Sequence, residues 1–182
     1  MNEKERIQAR LNEKSKMGRA QRHMMKLFVV SSSIIFLTLL YVWIRQVQPK
    51  MDVPNIYFLG SILVMLGSLG LYLVQKAIVK NQLKKASRLM KLSMTMGVLF
   101  VVTQFLGWQD LIDSNQVYKN ILLPFSFIHF LHVVIALLFL FLVFVRLRNY
   151  QIHSKALGFS SNVFYFWHFL GFIWLSFIGL MA

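Results

Sequence analysis

His129 and His132 stand three residues apart in FSFIHFLHVVIALLFL, residues 125–140, a run apolar enough to lie in lipid. Three residues is close to one helical turn, so both imidazoles fall on neighbouring parts of one helix face. A third histidine, His168, sits in FYFWHFLGFIWL, residues 164–175. Titratable groups inside candidate transmembrane helices point to a functional site, because burying polar groups in hydrocarbon is costly. Three chemistries are open to them. Two imidazoles from different helices can ligate a heme iron axially. They can line a quinone site or a proton relay. They can also hydrogen-bond across helices and hold a bundle together. A pair three apart on one helix cannot face itself across a porphyrin, so the heme reading reduces to His168 with His129 or His132. The bundle-holding role is the favoured reading of the three.

The acidic residues narrow the choice. All six, Glu3, Glu5, Glu13, Asp52, Asp110 and Asp113, fall outside the apolar runs. Proton pumps and cation-coupled transporters place a carboxylate in the membrane, and no inverted repeat suggests a transporter. Nucleophile–base pairs, phosphate loops and metal-ligand motifs are absent from the sequence. The 182 residues contain no cysteine, which rules out thiolate zinc sites and iron–sulfur clusters. The chain therefore reads as a non-catalytic membrane subunit.

The elements that must position these residues are apolar helices. Hydrophobic residues make up 57% of the chain and charged residues 14%, against about a quarter charged in soluble domains. Five runs are long enough to cross a bilayer, with spans expected at about 27–45, 55–77, 91–109, 121–145 and 160–181. No strand pattern appears, so the expected fold is all-α: one five-helix membrane bundle. Residues 1–26 read as a basic, retained arm, helical and lying on the membrane surface, ahead of a first span that acts as a signal anchor. Ser31, Ser32 and Ser33 in that span read as packing residues. The second run carries Gly60, Ser61, Gly67, Ser68 and Gly70, a small-residue face for close helix contact. Pro124 is expected in the first turn of the fourth helix, and Asp110 in a loop.

The net charge is +14, yet the basic residues lie between the apolar runs, so topology and anionic lipid explain them better than nucleic acid. Seventeen of the twenty Lys and Arg fall on the N-terminal side of a five-span arrangement and three on the other. That bias places the N-terminus in the cytoplasm and the C-terminus in the periplasm. Residues 76–91 hold six basic residues and no acid. They are expected to form a basic helical hairpin, with Lys84, Lys85 and Arg88 as candidates to meet lipid headgroups.

At this point the motifs, in order, resemble subunit III of the heme–copper respiratory oxidases. FIHFLHVVIA, residues 127–136, resembles that family's G-x-H-x-x-H-V-x-x-G helix, with His129, His132 and Val133 matching and Phe127 and Ala136 in place of glycines. In the last span Trp167, His168, Phe169 and Trp174 match W-Y-W-H-F-V-D-x-x-W, with Gly171 where Asp is usual. The stretch from Gln104 to Asp110 is similar to one ending Q-x-x-E-W. The family has seven spans, or five in many bacteria, and this chain resembles the shorter form. The family's membrane glutamates are missing: serines occupy the first span, and Ser161 stands at the start of the last. The resemblance implies an accessory subunit of the bacterial inner membrane with no heme or copper. Such a subunit packs on oxidase subunit I and the other subunits, within a possible supercomplex, and holds phospholipid in a cleft. The competing expectation is a membrane b-type cytochrome or quinone-reactive anchor using His168.

Overall fold

In lipid every backbone N–H and C=O must be satisfied within the chain, which leaves helices for a sequence without strand patterning. The computed structural model describes residues 3–46, 54–113, 119–152 and 158–181. It contains five helices, α1 (Glu3–Gln46), α2 (Asn55–Val79), α3 (Leu83–Asp113), α4 (Lys119–Arg148) and α5 (Gly158–Met181), and no strand among the described residues. Each is long and apolar enough to cross a membrane, over His23–Arg45, Asn55–Val79, Leu83–Ile112, Leu122–Arg148 and Gly158–Leu180.

Two tight turns shape the basic end of the bundle. α2 closes with Asn81 at φ 54°, its N–H bonded to the Ile78 carbonyl at 2.9 Å while Gln82 N–H reaches Ala77 at 2.9 Å. This is the paired bonding of a left-handed helix cap, and Asn tolerates that conformation. α4 closes the same way at Tyr150, φ 56°, with Gln151 N–H on Arg146 at 2.9 Å and Tyr150 N–H on Leu147 at 3.2 Å. An aromatic residue pays more than Asn there, because its Cβ crowds the backbone.

The α2–α3 pair makes the most extensive contact in the bundle, and α3–α4, α4–α5 and α2–α5 close a four-helix core. The small-residue face of α2 does what its composition predicts. A methyl added at Gly60 would meet Thr103 Oγ1 at 3.0 Å, and one at Gly70 would collide with the Ser93 hydroxyl. α3 returns the arrangement, since a methyl at Gly107 would meet the Tyr57 ring at 2.7 Å. The helices thus approach to backbone distance where side chains are smallest. α1 stands outside this core. It packs on α5 and more lightly on α4, and among the described residues it touches neither α2 nor α3.

Two expectations are corrected, on Asp110 and Pro124, and two helices run beyond their apolar stretches. α1 runs unbroken from Glu3 to Gln46, about 66 Å at 1.5 Å per residue, so the basic arm is helical and continuous with the first span. α3 begins at Leu83, because its basic first turns have high helix propensity and need only a three-residue turn after α2, so residues 76–91 form the expected helical hairpin. Its far end reaches Asp113, which places Asp110 on the helix within the candidate span, exposed. Pro124 lies inside α4, one turn deeper than expected, where the missing N–H withdraws the usual bond to the carbonyl four residues back. Asp52, expected outside the apolar runs, lies outside the described residues.

Candidate functional site

α4 carries both motif histidines inward, but it gives them different surroundings. His132 Nδ1 lies 2.7 Å from the Ile128 carbonyl. A carbonyl only accepts, so Nδ1–H is the donor; Nε2 of the neutral ring is then the acceptor. The Ser32 hydroxyl, 3.0 Å away on α1, donates to it. This is a cross-helix clasp between α4 and α1, the pair with the lightest contact in the bundle. Sequence reading assigned Ser32 to packing; it also supplies the hydrogen bond.

His129 is fully buried, and neither ring nitrogen has a hydrogen-bond partner among the described residues. This departs from the expectation that both imidazoles bond across helices. It is held by aromatic rings instead: Trp174 stacks at 5.2 Å, Phe100 meets it edge-on at 5.8 Å, Phe36 at 5.9 Å, and Phe125 lies parallel at 6.3 Å. Such contacts contribute about 0.5–1.5 kcal/mol each beyond burial. The ring borders a cavity of about 10 Å³ that Trp167, Gly171 and Val133 also line. That volume suits a single water molecule and leaves no room for a porphyrin.

α5 supplies the rest. Trp174 is fully buried and donates its indole N–H to Ser61 Oγ on α2 at 3.1 Å, and Ser61 donates in turn to the Tyr57 carbonyl at 3.0 Å. Trp167 is buried against α2 and α3, where a methyl on Gly97 would meet its ring at 2.6 Å and one on Gly67 at 3.3 Å. His168, the next residue, is only partly buried, because a step of one residue turns it off the face that Trp167 occupies. The structure therefore brings His129, Trp167 and Trp174 to one core and leaves His168 at its margin. A third clasp was not foreseen: Trp108 N–H donates to Ser126 Oγ at 2.8 Å, joining α3 to α4. In all three clasps a serine hydroxyl is the adaptor. Each serine lies 18 to 113 residues from its partner, so no local spacing in the sequence pairs them.

No group of three or more His, Asp or Glu among the described residues is placed to hold a metal ion. Two clefts flank the core. An apolar one of about 280 Å³ opens between α1, α4 and α5, lined by residues including Phe36, Leu40, Phe125, Phe169 and Phe172. A second, basic one lies at the other end of the bundle, where Lys84, Lys85 and Arg88 are all exposed on α3.

Comparison with known proteins adds sequence-wide likeness to this geometry. The sequence model of a family described as cytochrome c oxidase subunit III matches residues 10–181. The cytochrome c oxidase subunit 3 of Lachancea kluyveri is 24% identical over 167 residues, covering 82% of this chain and 62% of that protein. The subunit 3 of Vanderwaltozyma polyspora is 26% identical over 137 residues, covering 74% of this chain and 49% of the relative. The chain thus spans about half to three fifths of the length of these relatives.

Proposed function

The chain belongs to the cytochrome c oxidase subunit III family, and on that premise we propose that it serves as a non-catalytic accessory subunit of a respiratory heme–copper terminal oxidase. The family match across residues 10–181 carries the proposal. The packing of the family's histidine and tryptophan motifs supports it: they are spent on stacking and cross-helix clasps, as a supporting subunit requires. The chain is a multi-pass membrane protein with five candidate spans. In the proposed setting these cross a bacterial inner membrane with the N-terminus cytoplasmic and the C-terminus periplasmic, following the charge bias. Its partners are oxidase subunit I and the other oxidase subunits, within a larger respiratory assembly where one forms. Heme and copper reside in those partners.

Phospholipid binding is the second part of the proposal. The apolar cleft between α1, α4 and α5 has the size and lining for acyl chain, and it exists because α1 leans on α5 while barely touching α4. Lys84, Lys85 and Arg88 lie at the end of the bundle where anionic headgroups are expected.

The test is the His168→Ala variant. His168 lies at the margin of the core, so its loss weakens association with the large oxidase subunit and leaves heme per large subunit unchanged. Stoichiometric loss of heme in that variant would replace this reading with that of a heme-ligating cytochrome.

A further inference from the structure

At the end of the bundle away from the apolar cleft, the first turns of α3 lie beside the last turn of α4. Between them is a cleft of about 250 Å³ lined by Lys84, Ser87, Arg88, Leu147, Arg148 and Tyr150. Three cations from two helices thus face one space. Neighbouring cations have other company: the Arg146 guanidinium lies 4.3 Å from the centre of the Phe159 ring, and the Lys91 ammonium lies 5.8 Å from that of Phe144. Among the described residues no carboxylate answers Lys84, Arg88 and Arg148. On α2 to α5 the acids among the described residues are Asp110 and Asp113 at the far end of α3, about 40 Å away along the axis. The glutamates of α1 are on a helix that does not contact α3.

Like charges brought together without a counter-charge repel, and an anion in the cleft turns that repulsion into attraction. The donors suit phosphate. Arginine forks bond phosphate oxygens in pairs, and the Ser87 and Tyr150 hydroxyls offer further O–H donors. Leu147, buried at the floor, gives an apolar contact beside the charge. The volume lies below that of drug-sized ligand pockets and fits a headgroup. The geometry points to a phosphate-recognition site at the α3–α4 junction that takes the headgroup of an anionic phospholipid or a free phosphate ester of the same chemistry. Its specificity residues include Arg148, Ser87 and Tyr150, which sequence reading did not single out. Lys85, which it did, does not line the cleft. The site rests on the membrane part of the proposed function and is independent of the oxidase assignment.

The experiment uses the full chain, purified in nonionic detergent and stripped of lipid, with bound lipid counted by native mass spectrometry. Phosphatidylglycerol is retained in preference to phosphatidylcholine. Arg88→Gln and Arg148→Gln each weaken retention of phosphatidylglycerol about fivefold, while Lys80→Gln, at an exposed cation outside the cleft, leaves it unchanged. Thermal unfolding of each variant confirms that loss of lipid is not loss of fold. In the wild type, displacement of phosphatidylglycerol by inorganic phosphate at constant ionic strength marks soluble phosphate as a ligand; resistance to it marks the lipid. Equal retention of the two lipids by the wild type overturns the site. So does a Lys80→Gln effect as large as that of Arg148→Gln, which would mean a diffuse basic surface. The failure of either arm leaves the association with oxidase subunits, tested through His168, untouched.

Discussion

His129 and His132 share a motif and a helix face but differ in what replacement does to them. His132 is tied to Ser32 and to its own helix at 3.0 and 2.7 Å. Replacing His132 with Phe removes the α1–α4 clasp and costs about 0.6–1.7 kcal/mol, the range for cross-helix hydrogen bonds in membranes. Ser32→Ala costs a similar amount, and the double variant costs little more than either one. His129→Phe leaves stability unchanged or raises it by up to about 1 kcal/mol, because both ring nitrogens are buried without hydrogen-bond partners among the described residues, inside an aromatic cage that suits another aromatic ring. Thermal unfolding of the full chain in detergent reads the contrast; equal losses at both positions would refute it. At this scale the sequence showed that the histidines belong together. It could not show which one has a partner, because the partner of His132 lies 100 residues away on another helix.

Among the elements, the glycines set how closely α2, α3 and α5 approach. Gly97→Ala drives a methyl to 2.6 Å from Trp167 and 2.7 Å from Leu137, and Gly107→Ala drives one to 2.7 Å from Tyr57. The rings of Trp167 and Tyr57 are buried and have little freedom to yield, so each variant costs about 1–3 kcal/mol by overpacking. Gly179→Ala meets nothing within 4 Å and is neutral or stabilising, since alanine is the better helix former by about 1 kcal/mol. A Gly97→Ala chain as stable as Gly179→Ala would show that the seam is looser than described. The glycine and serine face of α2 was legible in the sequence as a packing surface. The course of α1 was not. Its polar half is built from helix formers, and no Gly–Pro or cap signal separates it from the apolar half, so one rod of 44 residues results. The basic hairpin was legible too, because six basic residues without Gly or Pro propagate a helix; the position of its three-residue turn was not.

For the whole molecule, five apolar runs and their charge bias carried most of the information, because lipid enforces helices and loop charge enforces orientation. The relative placement of the helices came from contacts that no local pattern encodes, above all the peripheral position of α1 and the clefts on either side of α4. Orientation is directly testable because the native chain has no cysteine. A single cysteine at Gln82, in the turn between α2 and α3, is labelled by a membrane-impermeant maleimide only from the cytoplasmic side. One at Gln109, exposed at the other end of α3, is labelled only from outside; the reverse pattern would invert the topology. The central claim is that this chain supports an oxygen-reducing partner and carries no redox centre itself. Its most direct test is affinity purification of the tagged chain from native membranes in mild detergent, followed by separation of the subunits and an optical spectrum of each. The account predicts that a large heme-bearing subunit co-elutes, and that the Soret band follows that subunit while the isolated chain shows none. A Soret band on the isolated chain that disappears in the His168→Ala variant, or elution with no oxidase subunit at all, would contradict it.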